Sequence, residues 1–514
     1  MKLESYVSGR WQAGKGEGLP LFNPVTGAVI ARADASGLDV AAALAYARNR
    51  GRATLAAMSF AERGTLLKAI ADVLTANREA YEVIARENSG NTRVDAAIDI
   101  DGGIGTLRYY AKLGQGLGAA TLIVEAGQDP LARDPVFFAR HFWRTRPGVA
   151  VQINAFNFPS WGLWEKVAVA MLAGVPSFIK PATASALLSW RMVKDVIASG
   201  KVPEGALSLL CGSGEGLLYP LGPMDSVAFT GSAATGETLR AHPNAIRAGF
   251  RLTIEADSVN ATILGPDARP GTVVFDLAVR EATKALSIKA GQLCTNIRRI
   301  LVPRALSRDF AAALGAQVEG LTVGDPADEA VRVGPVMNAA QQKDAQEKKA
   351  ALEGEARVVA QAKAPEAGAF VAPTLLLCDA PVEAQAIHDV EVFGPCASIL
   401  PYENIGEAVS LGMRGGGSLA LSLFTNDREF AGAALDGLGP WHGRVLVVDE
   451  EVGRNHTGHA IVMPQCVHGG PGRSGGGEEL GGLRGLRFHM QRSAVQAGLG
   501  LLARDATRAV EASL

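Results

Sequence analysis

Short apolar runs alternate with longer amphipathic stretches between residues 148 and 266, and this pattern restricts the fold more than any other feature of the sequence. The apolar runs predict strands over residues 148–154, 177–180, 206–211, 226–230 and 252–255. The stretches 161–173, 185–199 and 235–242 predict helices. Strands that alternate with helices form a parallel sheet with helices on both faces. We therefore predict an α/β fold whose ligands bind at the carboxyl ends of the strands.

The regions on either side carry weaker patterns. Residues 39–88 repeat apolar side chains every three or four positions and predict helices, whereas residues 121–147 alternate and predict a β-hairpin or arm. Further along, the sequence predicts a helix over 275–290, a strand over 299–302 and one or two exposed helices over 338–363. A Gly-rich loop covers 467–477, and residues 486–495 predict a last strand.

Composition and charge exclude several classes of protein. The net charge of −2 attracts neither nucleic acid nor an anionic membrane surface, and no apolar run is long enough to cross a bilayer. The five cysteines are widely spaced and form no CxxC pair, which favours a reducing compartment over a disulfide framework. Because the sequence shows no secretory signal, we expect a soluble protein of the cytoplasm. The Cys466-x-His468 pair lacks further ligands at metal spacing, so we expect no metal site.

Four features contain residue types that can carry chemistry. Cys294 follows a helical stretch and is either a small buried hydrophobe or a nucleophile. Glu255 ends an apolar strand, where a carboxylate is either solvated or part of a site. Glu391 flanks a turn, and residues 231–236 form either a phosphate-binding turn or an ordinary connection between strand and helix. Each feature alone leaves both interpretations open.

Taken together in chain order, the motifs resemble those of the aldehyde dehydrogenase superfamily over nearly the whole sequence. The matching segments are Asn157-Phe158-Pro159, Ile179-Lys180-Pro181-Ala182, Phe229-Thr-Gly-Ser-Ala-Ala-Thr-Gly236, Glu255, Gly291-Gln-Leu-Cys294, Glu391-Val-Phe-Gly-Pro395 and residues 469–485. The resemblance implies that Cys294 is the nucleophile, Glu255 the general base and Asn157 an oxyanion donor. It implies cofactor contacts from Lys180, Ala182, Thr183, Gly231, Ser232, Gly236, Glu391 and Phe393. Phe156 and Trp161 are expected to contact the substrate.

The same resemblance implies a fold with a Rossmann-like cofactor domain, an α/β catalytic domain and a small β oligomerisation arm. We expect residues 1–120 and 148–254 to form the NADP-binding domain and residues 255–465 to form the catalytic domain. Residues 121–147 and 466–514 are expected to supply the arm and a closing carboxyl-terminal segment. Arms of this kind join subunits in the family, and we expect a homodimer.

The family oxidises aldehydes through a thiohemiacetal and a thioester on the cysteine. A water activated by the glutamate then hydrolyses the thioester to a free acid, whereas members that transfer the acyl group to CoA lack this base. NAD-preferring members carry a glutamate at the position of Thr183. Since a threonine removes repulsion with a 2′-phosphate, NADP is favoured over NAD. A catalytically silent binding protein on the same scaffold is the alternative from another class, and the presence of Cys294, Glu255, Asn157 and Lys180 together argues against it.

Three segments depart from the common family pattern, and they are residues 153–159, Glu255-Ala-Asp-Ser258 and Val467-His-Gly-Gly-Pro-Gly-Arg473. They resemble a subgroup that oxidises CoA-linked semialdehydes in the degradation of aromatic compounds, either as stand-alone enzymes or fused to a hydratase domain. Because the sequence stops at Leu514, we expect the stand-alone type. The open alternative is a broad-range NAD(P)-dependent aldehyde dehydrogenase without CoA specificity.

Overall fold

The structure, a computed structural model, describes residues 1–512 and contains two seven-stranded sheets. The first sheet has the strand order Arg251–Glu255, Ser226–Thr230, Ala150–Ile153, Ser177–Lys180, Leu207–Leu209, Ser5–Val7 and Arg10–Gln12. The first five of these strands are parallel. Ser5–Val7 runs antiparallel to them, and Arg10–Gln12 runs antiparallel to Ser5–Val7. All five strands predicted between residues 148 and 255 are present, and the predicted α/β fold is confirmed.

Burial on both faces explains why these strands form a parallel sheet. The central strands Ala150–Ile153 and Ser177–Lys180 are almost entirely buried, which is typical of a parallel sheet covered by helices. Helices Trp161–Leu172 and Ala186–Ala198 follow them, close to the predicted bounds. Helix Ala233–Arg240 begins two residues earlier than predicted, because the Ser232 side chain accepts a hydrogen bond from the Thr235 amide and caps the helix there.

The second sheet has the strand order Arg357–Gln361, Thr374–Leu377, Cys396–Tyr402, Arg299–Pro303, Ala261–Leu264, Ser418–Phe424 and His442–Val448. All are parallel except Arg357–Gln361, which runs antiparallel at one edge. The prediction of helices over 338–363 is therefore wrong in its second half. A helix covers Ala339–Glu353, but the β-branched pair Val358 and Val359 favours a strand, and pairing with the sheet edge overrides the helical composition around it.

A third sheet, here called the arm sheet, joins two distant parts of the chain. Its strands are, in order, Met490–Ala497, Phe138–Thr145, Leu122–Val124 and Ala509–Glu511, with Asp129–Pro130 paired to the second of them. A β-arm is thus present at residues 121–147 as predicted. The last predicted strand begins at Met490 rather than residue 486, since a 3-10 turn occupies Gly482–Phe488.

The remaining helices cover the sheets. They are Val40–Tyr46, Arg52–Ala57, Phe60–Ala76, Arg78–Ser89, Arg93–Leu117, Pro243–Ala248, Val273–Ser287, Ser307–Glu319, Ala386–Asp389, Ile405–Met413, Arg428–Leu438 and Leu499–Ala506. A small sheet of Lys2–Leu3, Val29–Ala33 and Leu19–Phe22 lies near the start of the chain. The helix predicted over 275–290 ends early, at Ser287, because Lys289 and Ala290 adopt positive φ angles that no α-helix contains.

The Gly-rich segment folds back over the first sheet instead of joining the arm sheet. Its strands Val467–Gly469 and Glu478–Leu480 pair with each other. The Ala256 amide donates to the Ser474 carbonyl oxygen at 3.0 Å. Gly475 has a φ of 114°, and a Cβ at this position would lie 1.9 Å from the Ile254 carbonyl oxygen. Glycine therefore allows the segment to lie directly against the strand that ends in Glu255.

The predicted domain boundaries stay a prediction. The first sheet draws its strands from residues 5–12 and 150–255, and the second from residues 261–448. Within residues 1–512, no helix combines the length and the apolar character that crossing a membrane would need.

Replacing Gly475 with alanine tests the contact between the Gly-rich segment and the sheet. We expect Gly475→Ala to lower the Tm, because backbone strain of about 1–3 kcal/mol adds to a clash with the Ile254 carbonyl. Gly476→Ala is the matched control, since Gly476 also has a positive φ but no atom lies within 4 Å of its added Cβ. Thermal melting monitored by fluorescence measures both variants. Equal losses of Tm would contradict the close contact.

Candidate active site

Two cavities meet at the carboxyl ends of the parallel strands of the first sheet. The larger is here called the cleft, and the smaller is here called the tunnel. They share six lining residues, which are Asn154, Ala155, Asn157, Thr230, Glu255 and Cys294. The three residues predicted to be catalytic therefore all lie at the junction, where a molecule in the cleft can meet one in the tunnel.

The loop before Cys294 has an unusual backbone. Lys289 and Ala290 each have a φ of 49°, and Gly291 has a φ of 70°. A Cβ on Gly291 would lie 2.3 Å from the Gly394 carbonyl oxygen, so only glycine fits there. A left-handed backbone conformation at three consecutive residues costs free energy. It is stable only where contacts with the surrounding structure hold it in place.

Two side chains provide that support. Asp95, in the first turn of helix Arg93–Leu117, accepts a hydrogen bond from the Lys289 amide at 2.7 Å. Asn260 donates to the Cys294 carbonyl oxygen at 2.8 Å. The position of the sulfur is thus set from both sides, by a helix of the amino-terminal part and by the start of the second sheet.

Glu255 is paired with a histidine. His468 Nε2 lies 3.0 Å from Glu255 Oε2, and both side chains are buried. Thr230 Oγ1 donates to the same carboxylate oxygen at 3.4 Å. The other oxygen, Oε1, is buried without a hydrogen-bond partner. One oxygen of the carboxylate is therefore fixed, and the other is free to accept a proton.

Positive charges keep Glu255 ionised in spite of its burial. Burial alone would raise its pKa, but His468 and Lys166 lie close by and lower the pKa to about 2. Burial would also lower the pKa of His468, and the Glu255 carboxylate raises it instead. The Lys166 ammonium lies 2.9 Å from Glu479 and 3.5 Å from Glu165. Pairing within this network offsets the cost of burying so many charges.

The thiol of Cys294 has the opposite environment. Burial raises its pKa, and the negative charge of Glu255 raises it further. The thiolate is the nucleophilic form of a cysteine. The free carboxylate oxygen of Glu255 is the acceptor at hand for the thiol proton.

Asn157 lies beside Cys294 and lines both the cleft and the tunnel. Its amide nitrogen donates to the Gln292 carbonyl oxygen at 3.0 Å, which fixes the direction of the side chain. A side-chain amide has two N–H groups, so the second can donate to an oxygen atom in the cavity. This position is compatible with an oxyanion donor, and that role of Asn157 stays a prediction.

The cleft brings together seven of the eight residues predicted to contact a cofactor, namely Lys180, Ala182, Thr183, Gly231, Ser232, Glu391 and Phe393. Gly236 does not line it, because this residue lies within helix Ala233–Arg240 and a Cβ there would face Ile254 at 3.1 Å. Ser232 caps that helix at its amino terminus, where free N–H groups and the helix dipole favour a phosphate group. The capped helix and the nearby Lys180 ammonium fit a dinucleotide.

Glu391 is anchored in the cleft by two hydrogen bonds. Its Oε2 accepts from the Ser258 amide at 2.9 Å, and its Oε1 accepts from Arg298 at 3.2 Å. Burial raises its pKa, and the Arg298 guanidinium opposes that shift. Ser258 belongs to a segment that departs from the common family pattern, and its backbone nevertheless orients this carboxylate.

The tunnel has largely apolar walls, to which Phe158, Trp161, Ile461 and Val462 contribute. Trp161 therefore lies where a substrate contact was predicted. Phe156 does not line the tunnel and lies in the cleft instead, because its ring packs edge-on against Phe393 with 5.6 Å between ring centroids.

Sequence reasoning missed two parts of the site. The sequence indicates His468 only as half of an incomplete metal-ligand pair, and nothing in its local sequence places it beside Glu255. The Gly-rich run that follows it was the available signal, since consecutive glycines permit close packing of backbones. Helix Ala339–Glu353, for which no role was predicted, lines the cleft through Gln341, Asp344 and Lys348.

Comparisons with known proteins find matches that cover nearly the whole chain. The sequence profile of the aldehyde dehydrogenase family matches residues 11–495. The 3,4-dehydroadipyl-CoA semialdehyde dehydrogenase of Aromatoleum evansii is 49% identical over 480 residues, which cover 92% of this chain and 93% of that protein.

Solved structures agree on the fold. Lactaldehyde dehydrogenase from Escherichia coli has a TM-score of 0.83 at 24% identity and covers 96% of this chain and 99% of its own. Betaine aldehyde dehydrogenase from Staphylococcus aureus, solved in complex with NAD⁺, has a TM-score of 0.82 at 24% identity and covers 96% of this chain and 94% of its own.

Removal of the Glu255 charge tests its effect on the neighbouring sulfur. We expect Glu255→Gln to lower the pKa of Cys294 and to speed its alkylation by iodoacetamide at about pH 8 by roughly three- to tenfold. Peptide mass spectrometry measures the rate at Cys294 and, as an internal control, at the exposed Cys466. An unchanged or slower rate at Cys294 would contradict the electrostatic argument.

Proposed function

The chain belongs to the aldehyde dehydrogenase family, and from that premise we propose that it oxidises a CoA-linked semialdehyde, 3,4-dehydroadipyl-CoA semialdehyde, to the carboxylic acid with NADP. It is an aldehyde-oxidising oxidoreductase. The observation that carries the proposal is the junction of cleft and tunnel, where Cys294, Glu255 and Asn157 lie together. The identity of 49% to a relative of that name supports the substrate.

In the first step the Cys294 sulfur bonds to the aldehyde carbon, and its proton passes to Glu255 Oε1. The carbonyl oxygen becomes an oxyanion, which the free N–H of Asn157 stabilises. One such donor contributes about 2.7–4 kcal/mol to the stability of a transition state. Held by residues of the cleft such as Glu391 and Phe393, a nicotinamide cofactor would accept the hydride that leaves this carbon, and Cys294 would then hold a thioester.

In the second step Glu255 first releases the thiol proton to the solvent and then takes a proton from a water molecule. The oxygen of that water bonds to the thioester carbon, the C–S bond breaks, and the Cys294 sulfur is released with a free carboxylic acid. His468 and Lys166 hold Glu255 ionised and ready for each cycle. The presence of this base supports hydrolysis rather than transfer of the acyl group to CoA.

The preference for NADP rests on two side chains of the cleft. Thr183 offers a hydroxyl donor and no negative charge, and Lys180 offers an ammonium group, so both favour a 2′-phosphate. Glu391 and Phe393 line the same cleft and are proposed to hold the ribose and the nicotinamide.

We further propose a homodimer in the reducing environment of the cytoplasm. Apolar side chains are exposed in the loop between strands Asp129–Pro130 and Phe138–Thr145 and in helix Leu499–Ala506, namely Leu131, Val136, Phe137, Leu499 and Leu501. Apolar patches of this kind mark surfaces that associate with a partner. All five cysteines are unpaired, which supports a reducing compartment.

Turnover of two aldehydes tests the proposed substrate. We expect the purified chain with NADP to use 3,4-dehydroadipyl-CoA semialdehyde with a kcat/KM on the order of 100-fold or more above that for hexanal, since a CoA group adds specific contacts. Absorbance of NADPH measures the rates, and mass spectrometry identifies the product as the free acid with its original CoA thioester intact. Equal use of both aldehydes would favour the broad-range alternative. A requirement for added CoA would contradict the role of Glu255.

The substitution Thr183→Glu tests the cofactor preference. A carboxylate at this position repels the 2′-phosphate and can accept hydrogen bonds from a ribose hydroxyl, so we expect the ratio of kcat/KM for NADP to that for NAD to fall by about tenfold or more. Thr183→Val is the control, because it removes the hydroxyl without adding charge. An unchanged ratio in Thr183→Glu would show that this position does not decide the preference.

A further inference from the structure

Cys294, Glu255 and His468 form a cluster whose members are all common zinc ligands. The sulfur, one carboxylate oxygen and one imidazole nitrogen lie within 4.8 Å of one another. Zinc binds these three ligand types at about 2.0–2.3 Å, which places the ligand atoms of a tetrahedral site roughly 3.3–3.7 Å apart. Side-chain movements of about an ångström are thus enough to close the cluster around an ion.

The electrostatics of the cluster favour a divalent cation. Glu165 and Glu255 are buried carboxylates and Glu479 is a partly buried one. Lys166 pairs with Glu165 and Glu479, and His468 pairs with Glu255. The nearby carboxylates disfavour the thiolate form of Cys294. A divalent cation bound to the sulfur would stabilise that form, because a thiol that coordinates a metal loses its proton. The carboxylates around the cluster and the types of its three ligands therefore both favour zinc.

An ion can also reach the cluster and complete its coordination there. The tunnel is lined by Cys294, Glu255 and His468 together with Thr295 and Trp161. Three protein ligands and an open fourth position are typical of zinc sites that exchange a water molecule. Because its fourth position is open, the site differs from a closed structural zinc site, and we expect zinc to bind there reversibly.

We propose that these three side chains form a zinc site, and that zinc bound there reversibly inhibits the enzyme. Binding forms one bond each from zinc to sulfur, oxygen and nitrogen. It releases the thiol proton of Cys294 and any proton on His468 Nε2 to the solvent, and nothing is oxidised or reduced. The ion occupies the nucleophile and the base at once, so the inhibition, unlike the binding, rests on the proposed function.

Direct measurement of zinc binding tests the site without turnover. Full-length protein freed of metal by EDTA is titrated with zinc chloride against a fluorescent zinc chelator. We expect one zinc per chain, and we expect Cys294→Ser and His468→Asn each to raise the Kd by about tenfold or more. Glu255→Gln provides a third variant should one of these fail to fold, and circular dichroism checks the fold of each.

Cys466→Ser is the matched control. Cys466 is exposed and lies two residues before His468, so it is the other thiol that could pair with this histidine. We expect this variant to bind zinc as the wild type does. Loss of binding in Cys466→Ser, or unchanged binding in His468→Asn, would overturn the proposed site.

Inhibition is measured on the same samples. We expect zinc to abolish NADPH formation by the wild type, EDTA to restore it, and bound zinc to protect Cys294 from iodoacetamide. Zinc binding by a protein that turns over no aldehyde would overturn the proposed function and leave the zinc site standing. If the enzyme turns over aldehyde but binds no zinc at about 100 μM added zinc, the zinc site alone is overturned, because a Kd above that concentration is weak for a three-ligand site.

Discussion

The hydrogen bond from the Ala256 amide to the Ser474 carbonyl ties the Gly-rich segment to the strand that ends in Glu255. This contact requires Gly475 to lie against the Ile254 carbonyl, and it brings His468 to within 3.0 Å of Glu255. A buried carboxylate without a cationic partner costs several kcal/mol. The backbone contact therefore decides whether the carboxylate can stay charged, and the chemistry at the junction follows from it.

The charged residues around Glu255 show how a site can bury several charges and still keep one oxygen free to accept a proton. His468 and Lys166 balance most of the negative charge, while Oε1 of Glu255 keeps no partner. An unsatisfied buried oxygen is destabilising. The cost is confined to one atom, and that atom is the proton acceptor of the proposed reaction.

Much of the fold could be predicted because a local sequence pattern is enough to indicate each of several strands and helices. The strands from Ala150 to Glu255 are apolar on both faces and separated by helices, and Ser177–Lys180 and Ser226–Thr230 have the predicted bounds. The resemblance of the motifs to the aldehyde dehydrogenase family predicted that Cys294, Glu255 and Asn157 share one site, whereas no single motif did so. What could not be predicted depends on contacts between distant segments. The strand Arg357–Gln361 exists through its pairing at a sheet edge, and the left-handed residues before Cys294 depend on Asp95.

The supports of the junction are spread along the chain, and this has a consequence for synthesis on the ribosome. Asp95, which holds the loop before Cys294, is made early, whereas His468, which holds Glu255, is made late. A nascent chain that has just passed Cys294 already contains Cys294 and Glu255 but not His468. Glu255 therefore gains its histidine partner only when the Gly-rich segment docks, and the junction is completed in the last part of folding rather than when Cys294 is made.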